Sequence, residues 1–542
     1  MFDDYELKST SVIYPRAHLQ PNEFIPLSLV DVAAPIRYTS FAEVFPFGYN
    51  LDPSRLQDSL VQLAADFPVL TARVCHSNGG APGFLCHAQG FPFSVASWPS
   101  GRQQDWPAAA CAASLPAAMP SYVQQPPFAD VIDVIKVNAG SEAAFKVRLT
   151  LLGDGTCVLA VTVAHILLDA GRLVMILQHL SRLYTGQVGA PHEASGAIFD
   201  RTCLSTQGLL PLLRGKAAKT TRIQLHVLQA VRGLVFFLRA LSIICIAISQ
   251  AFLSLAGKQA KENRAWTQRK GWEYINLRPQ ELFEPFILRP SLSNGQVQSA
   301  ASTLSPAASF YSWEALDVPA SQLAAIKERI NSRSKAYGVP YVSSSDVLAA
   351  LTWLIRCELY HVPLPGSVIF IAMDLARNGL PAGAVPKFFV GNAVAAVPVE
   401  APALSSENGS LGKYEQMLTV CACAIRKAIV EHREDETDAI QTALRIGNVP
   451  DELRGFAMKK ALTKPLLGFI TDRTSFNLDG LDFGNGPPQF NLGLPTWPFN
   501  VSTVVSKTPT GFLVQLMLDD KSTPTTGVVA LLQALAPAAH FL

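Results

Sequence analysis

The chain has 542 residues, 49% of them hydrophobic and only 16% charged, and a net charge of +2. A chain of that length outgrows one ordinary core and predicts two lobes, and its near-neutral balance excludes nucleic acid as a partner. The nine cysteines show no metal-ligand spacing; with an odd count and an acidic start, Met1–Glu6, that resembles neither a signal nor a transit peptide, they imply free thiols in a reducing, cytoplasmic setting.

In chain order, Ser9–Tyr14 and Thr39–Phe45 predict strands. Asp52 and Pro53 begin a helix whose Leu56, Leu60 and Leu63 share one face, and Phe67-Pro68 ends it. Val69–Cys75 predicts a strand, and Gly79-Gly80 with Pro82-Gly83 turns the chain into a partner at Phe84–Ala88. Trp98–Phe128, rich in Ala, Pro, Ser and Gln, predicts a surface excursion. Asp130–Val137 and Ala143–Leu152 predict strands leading into Val158–Val163, an apolar run of the length of one buried strand, and Arg172–Tyr184 predicts a helix. This alternation predicts a mixed α/β lobe over residues 1–191.

Residues 192–306 form a crossover carrying Lys and Arg at 214, 216, 219, 222 and 232, then an apolar run from Gly233 to Gly257, and Ser291–Ser309 reads as a flexible connector. The second lobe, 307–542, begins with an amphipathic helix at Ser321–Ser332. Ser344 or Ser345 caps the next helix, which buries Val347, Leu348, Leu351 and Leu354. Val368–Met373 and Gly391–Val399 predict strands, Leu411–His432 a long helix that contains Cys421 and Cys423 as packing residues, and Pro498–Ser506 and Gly511–Leu518 the closing strands.

His165 stands at the end of the apolar run, where an imidazole that titrates near neutrality is held by a fixed backbone and suits proton transfer. Asp169 and Gly171 follow at the turn into the next element. The spacing alone equally fits a hydrogen-bonded core histidine. A second stretch, Leu481–Pro487, reads L-D-F-G-N-G-P. Together, His165–Gly171 and Leu481–Pro487 resemble the two signatures of the BAHD acyltransferases, HxxxD and DFGWG, in their order and wide separation, with Asn485 in place of the family's Trp. Phe24–Asp31 resembles the family's L-S-x-x-D segment, Phe67–Arg73 its P-L-A-G-R strand, Ser343–Trp353 its helix ending in Trp, and Gly391-Asn392 its G-N; residues 192–306 find no counterpart.

The resemblance implies an α/β fold of two chloramphenicol-acetyltransferase-like lobes with mixed sheets, here with an apolar helical insertion. It implies transfer of an acyl group from acyl-CoA, a co-substrate, to a small-molecule alcohol or amine, with no bound cofactor and no metal. His165 would be the general base and Thr471, from Thr471-Asp472-Arg473 at the family's T-x-W, the oxyanion donor. Asp169 would pair with Arg377 of Asp374-Leu375-Ala376-Arg377, with Arg356 in reserve, while Asp482, Phe483, Gly484 and Gly486 shape the lobe interface. A condensation-type enzyme using a carrier-bound donor, or a non-catalytic binding or membrane-scaffold protein that retains the fold, are the alternatives; Asn485 and Arg473 are the departures that favour the latter. The enzyme is expected to be a monomer.

The run from Gly233 to Gly257 could cross a hydrocarbon core of about 30 Å as a helix. A single span would part His165 from Leu481–Pro487, whereas basic flanks at Arg232, Lys258, Lys261 and Arg264, and Arg239 inside, suit a hairpin or interfacial helix on the cytoplasmic face, with a lipophilic acceptor in keeping. Tagged protein is expected in the membrane fraction, and a variant lacking 233–257 in the soluble one. Wild-type protein staying soluble would refute one-sided attachment.

Overall fold

The computed structural model describes residues 4–15, 23–32, 39–77, 82–86, 89–102, 115–116, 128–187, 201–213, 219–227, 229–230, 310–375, 380, 383–386, 389–402, 413–434, 440, 444, 466–495 and 502–519. The first lobe is a six-stranded mixed sheet of β1 (Glu6–Ile13), β6 (Phe91–Trp98), β8 (Phe145–Leu152), β9 (Cys157–Ala164), β3 (Ser40–Phe47) and β14 (Leu492–Pro495), in that order. Only β6 and β8 run parallel in it. A small antiparallel sheet, β2 (Glu23–Pro26), β5 (Pro82–Cys86) and β4 (Arg73–His76), lies beside it. The second lobe has the order β12 (Val394–Glu400), β11 (Val368–Asp374), β13 (Leu466–Asp472), β15 (Ser502–Lys507), β16 (Gly511–Asp519), β10 (Phe310–Pro319) and β7 (Leu115–Pro116). Each lobe therefore lends a strand to the other, β14 to the first sheet and β7 to the second.

Helices cover these sheets where the apolar periodicity placed them. All eight residues of β9 are buried, because β8 and β3 flank it and both faces are covered, so its sequence shows a run instead of an alternation. Helix α1 (Pro53–Asp66) starts at Asp52, whose carboxylate accepts from the Ser54 and Arg55 N–H groups, and it buries Leu56, Leu60 and Leu63. Residues expected to form a strand at Asp130–Val137 instead enter a short helix, α2 (Val134–Asn138), because Asp133 accepts from Ile135 N and Lys136 N and nucleates a turn. Val69–Cys75 likewise divides into a 3-10 turn, Pro68–Thr71, and then β4.

Helix α3 (Ala170–Thr185) follows β9 and closes on Gly186 at φ 73°. In the second lobe α4 (Ala320–Asn331), α5 (Ser344–Leu359) and α6 (Lys413–Glu434) form the helical layer. The cap of α5 is Ser343, one residue before the expected serines: its hydroxyl accepts from Asp346 N while the Asp346 carboxylate accepts from Ser343 N. Trp353 is fully buried in α5 and its indole N–H donates to Ser367 Oγ at 2.9 Å. Cys421 and Cys423 are buried in α6.

The run 233–257 lies outside the described residues, as does most of the crossover; no helix among the described residues is long and apolar enough to cross a membrane. Of the crossover, 201–213, 219–227 and 229–230 are described, and Leu204, Leu209, Leu213 and Leu225 pack with Val30, Leu375 and Phe389 between the lobes. Phe370 and Phe469 of the second sheet pack against the first lobe's core, so that face of β11 and β13 is the one turned toward it.

Leu481–Pro487 seals the lobe junction. Asp482 Oδ1 accepts from the N–H groups of Gly484 and Gly486, which sit at φ 110° and 105° where a Cβ is disfavoured, and the Gly486 carbonyl accepts from Tyr49 Oη at 2.7 Å. Phe483 inserts edge-on between Phe47 and Tyr184, whereas Asn485 is exposed. Asn485→Trp is accordingly expected to leave the denaturation midpoint unchanged, and Phe483→Ala to cost about 3–5 kcal/mol by urea unfolding.

Candidate active site

The central strand β9 delivers His165 at its end. The His165 N–H donates to the Thr39 carbonyl at 2.8 Å, which extends the β9–β3 ladder by one residue and fixes the Cα–Cβ direction. Its ring packs edge-on to Phe41, centroids 5.1 Å apart, and Nδ1 lies 2.9 Å from Asn392 Oδ1.

The direction of that hydrogen bond follows from what holds Asn392. Its Nδ2 donates to Asp31 Oδ1 at 2.8 Å and to the His165 carbonyl at 2.7 Å, both oxygens that can only accept. The amide oxygen is thereby left facing the imidazole, so Nδ1 carries the proton and donates. Nε2 keeps its lone pair and has no partner among the described residues. Burial holds the imidazole below its ordinary pKa, with smaller upward contributions from its own backbone, Asp169 and Asn392, and the neutral form is the one this site maintains.

Asp31 anchors the arrangement. Its Oδ1 also accepts from Asn392 N, while Oδ2 accepts from Arg201 Nη1 at 2.7 Å and from Ser28 N. Arg201 Nη2 donates to the Leu167 carbonyl inside the His165–Asp169 turn, and its guanidinium lies over the Phe84 ring. Asp31, Arg201 and Asn392 are almost fully buried. Two of these residues were visible only as fragments of the L-S-x-x-D and G-N resemblances, and Arg201 lies in the crossover that had no counterpart. No signal in the sequence set Arg201 apart from the other basic residues of that crossover.

Asp169 caps α3 rather than serving mainly as an ion-pair partner. Oδ1 accepts from Arg172 N at 3.0 Å and Oδ2 from Ala393 N at 3.0 Å, with Arg172 Nη1 at 3.6 Å. Arg172 in turn holds Asp374 at 2.9 Å. The expected partner, Arg377, lies outside the described residues, and the reserve, Arg356, spends its Nη2 on the Ser502 carbonyl and Thr503 hydroxyl of β15. Among the described residues, the cation beside Asp169 is its own helix neighbour, three residues on. Gly171, in the first turn of α3, stands next to the Asp169 carboxylate.

Thr471 lies on β13 with its neighbours alternating, so it shares the first-lobe-facing side with Phe469. Asp482, Phe483, Gly484 and Gly486 belong elsewhere: Phe483 touches Phe47, which pairs with Cys157 at the opposite end of β9, about 26 Å from His165 by strand rise.

A cavity of about 540 Å³ opens where α5 begins, lined by Lys327, Ser343, Ser344, Ser345, Thr474 and Lys507 among others. Two ammonium groups, serine hydroxyls and the start of a helix make it suited to a phosphate-bearing ligand. Thr474 follows Thr471 by three residues, which places this cavity and the lobe interface at one strand end. Among the described residues no cluster of His, Cys, Asp or Glu could hold a metal ion.

Residues 4–221 match the model of the Transferase family, a match that runs into the crossover. A comparison with curated protein sequences returns no match. Among solved structures, the chain is similar to F. graminearum TRI101 complexed with ethyl coenzyme A, at 14% identity and TM-score 0.60, covering 96% of this chain and 99% of that one. F. sporotrichioides TRI101 complexed with coenzyme A and T-2 gives 14% identity, TM-score 0.59 and the same coverage. Vinorine synthase gives 13% identity and TM-score 0.53, covering 97% of this chain and 96% of that one. The two-lobe α/β class expected from the sequence and the resemblance to the BAHD transferases are thus borne out.

Asp169→Asn keeps one acceptor but turns an N–H₂ toward Arg172 N or Ala393 N. The expected cost is about 1–3 kcal/mol of stability by chemical unfolding, and the Asn392 segment should loosen with it. An Asp169→Asn protein of wild-type stability would refute the double anchor.

Proposed function

We propose that the chain is an acyl-CoA-dependent acyltransferase that acylates a hydroxyl or amine acceptor, with His165 as general base. The observation that carries this is the Asn392 bond to Nδ1, which leaves Nε2 basic at the end of the central strand. The acceptor oxygen or nitrogen attacks the thioester carbonyl while Nε2 takes its proton. The tetrahedral intermediate collapses, the C–S bond breaks, and the imidazolium returns the proton to the departing CoA thiolate. No enzyme nucleophile is required, because a positioned acceptor attacks directly. Thr471, on the strand face turned to the first lobe, is the donor assigned to the oxyanion.

The cavity at the start of α5 is assigned to the phosphates of the coenzyme, with Lys327 and Lys507 as the counter-charges. TRI101 structures hold coenzyme A on the same fold, which supports that donor here. We assign the enzyme to the cytoplasmic face of a membrane through 233–257, as the basic flanks suggest.

His165→Gln is expected to lower kcat/KM by about two to four orders of magnitude, read as thiol release from a panel of acyl-CoAs, without lowering Tm. The working form is neutral His165, and burial lowers its pKa, so the neutral form persists to lower pH. The acid limb of kcat/KM should therefore lie below the ordinary imidazole value of 6.5 and vanish in the variant. Wild-type turnover by His165→Gln would overturn the assignment, and no thiol release from wild type with any acyl-CoA and acceptor would favour a binding protein that retains the fold.

A further inference from the structure

Glu43 lies in the middle of β3 and is fully buried. Phe41, Glu43 and Phe45 alternate onto one face of that strand, and Phe41 is the residue whose ring touches His165. Glu43 is therefore one same-face step, about 7 Å along the strand, from the side chain that packs on the base. Arg473 reaches it from the second lobe, the first residue beyond β13, with Nη1 donating to Glu43 Oε2 at 2.6 Å. Asn491 Nδ2 donates to the same oxygen at 3.2 Å. Gly493, the register partner of Glu43, makes the room: a Cβ there would stand 1.6 Å from Arg473 Nη1.

The cluster is only half-satisfied. Glu43 Oε1, Arg473 Nε and Asn491 Oδ1 are buried and have no partner among the described residues, and neither does Ser506 Oγ, the residue after Val505, whose carbonyl accepts from Arg473 N. Burial pushes the Glu43 carboxyl up to about 7 and lowers Arg473, each against the other's attraction. A clamp serving only to join the lobes gains nothing from open atoms, each of which costs about 1–3 kcal/mol when left unpaired. A hydroxyl that donates to Glu43 Oε1 and accepts from Arg473 Nε satisfies two of them, and an amino group can donate to both open oxygens.

We propose that Glu43, Arg473 and Asn491 form an acceptor subsite that takes a second hydroxyl or amino group, besides the one acylated. This rests on the acyl-transfer reading and deepens it: the acceptor class is a diol or amino alcohol. Arg473 stands at the position where the resemblance expects Trp, so the departure exchanges an apolar wall for a polar one.

The test compares cyclohexanol with cyclohexanediols and aminocyclohexanols as acceptors, by thiol release with the acyl-CoA that wild type uses best. The bifunctional acceptors should exceed cyclohexanol in kcat/KM by about tenfold or more in wild type. Glu43→Gln and Asn491→Leu should each reduce that ratio by several-fold, and Glu43→Leu/Arg473→Met, which leaves no lone buried charge, should bring it near one. The ratio is independent of how much protein folds. A wild-type ratio near one, or a ratio unchanged in all three variants, would overturn the subsite while leaving transfer intact. A change confined to KM for acyl-CoA would give the cluster to the pantetheine arm and overturn it too. If no pairing releases thiol, the transfer reading fails, and calorimetric titration of the same alcohols still decides: tighter binding of the bifunctional ones that the double variant loses supports the subsite, and no difference refutes it.

Discussion

The site depends on one carboxylate. Asp31 holds Asn392 by both its backbone N–H and its side-chain amide, and it is neutralised from behind by Arg201. Without that grip the Asn392 amide could turn, and a flipped amide would present a donor to Nδ1 and force the proton onto Nε2, the tautomer that cannot act as a base. The cost of the arrangement is a buried ion pair, Asp31 and Arg201, whose desolvation is offset only by saturating the carboxylate with four donors. Asp169 adds a second hold one residue further on, at Ala393 N. The stretch Gly391–Ala393 is therefore fixed by two carboxylates from two different turns of the first lobe, although it belongs to the second. Lobe docking and the protonation state of His165 are the same event.

That coupling explains what could and could not be read in advance. The elements were legible wherever a single local cause forms them: the Asp52 cap with Pro53, the apolar run of β9, and the periodic faces of α4 and α5. Asp130–Val137 misled because β-branched residues suggested a strand while one side chain, Asp133, offered its two nearest N–H groups a turn. In the site, His165 and Asp169 were visible as a spaced pair, but the partners of Asp169 were not. The ion-pair partner inherited from the family pattern, Arg377, lies outside the described residues, and the cation beside Asp169 among those described is Arg172, in the first turn of the helix that Asp169 itself caps. The contacts that orient His165 span separations of 227 and 361 residues along the chain. No window on the sequence can display a pairing of that range, and only a fragmentary likeness at Asp31 and Asn392 marked where to look.

Glu43 was the least legible residue of all. A glutamate inside an apolar strand normally signals a solvent-facing position, and its neighbours Phe41 and Phe45 gave the opposite indication. The resolution is that its neutralising cation comes from the far lobe, through a gap left by Gly493 in a strand that is itself borrowed from the second lobe. The same exchange of strands that locks the lobes together thus carries a charge pair to within one side-chain repeat of Phe41, the ring that packs on the base.

The pair also bears on the electrostatics of proton transfer. Arg473 is among the influences that lower the His165 pKa, while Asp169 raises it, and burial outweighs both. A cation near the base disfavours the imidazolium that forms as the acceptor attacks, so Arg473 standing alone would oppose the chemistry it adjoins. Glu43, paired with Arg473 at 2.6 Å, opposes that field while it is ionised. Paired in this way, the guanidinium can serve as a directional donor while its effect on His165 stays smaller than that of burial. A polar wall and a neutral base can then occupy one interface, provided that the carboxylate and the guanidinium remain paired.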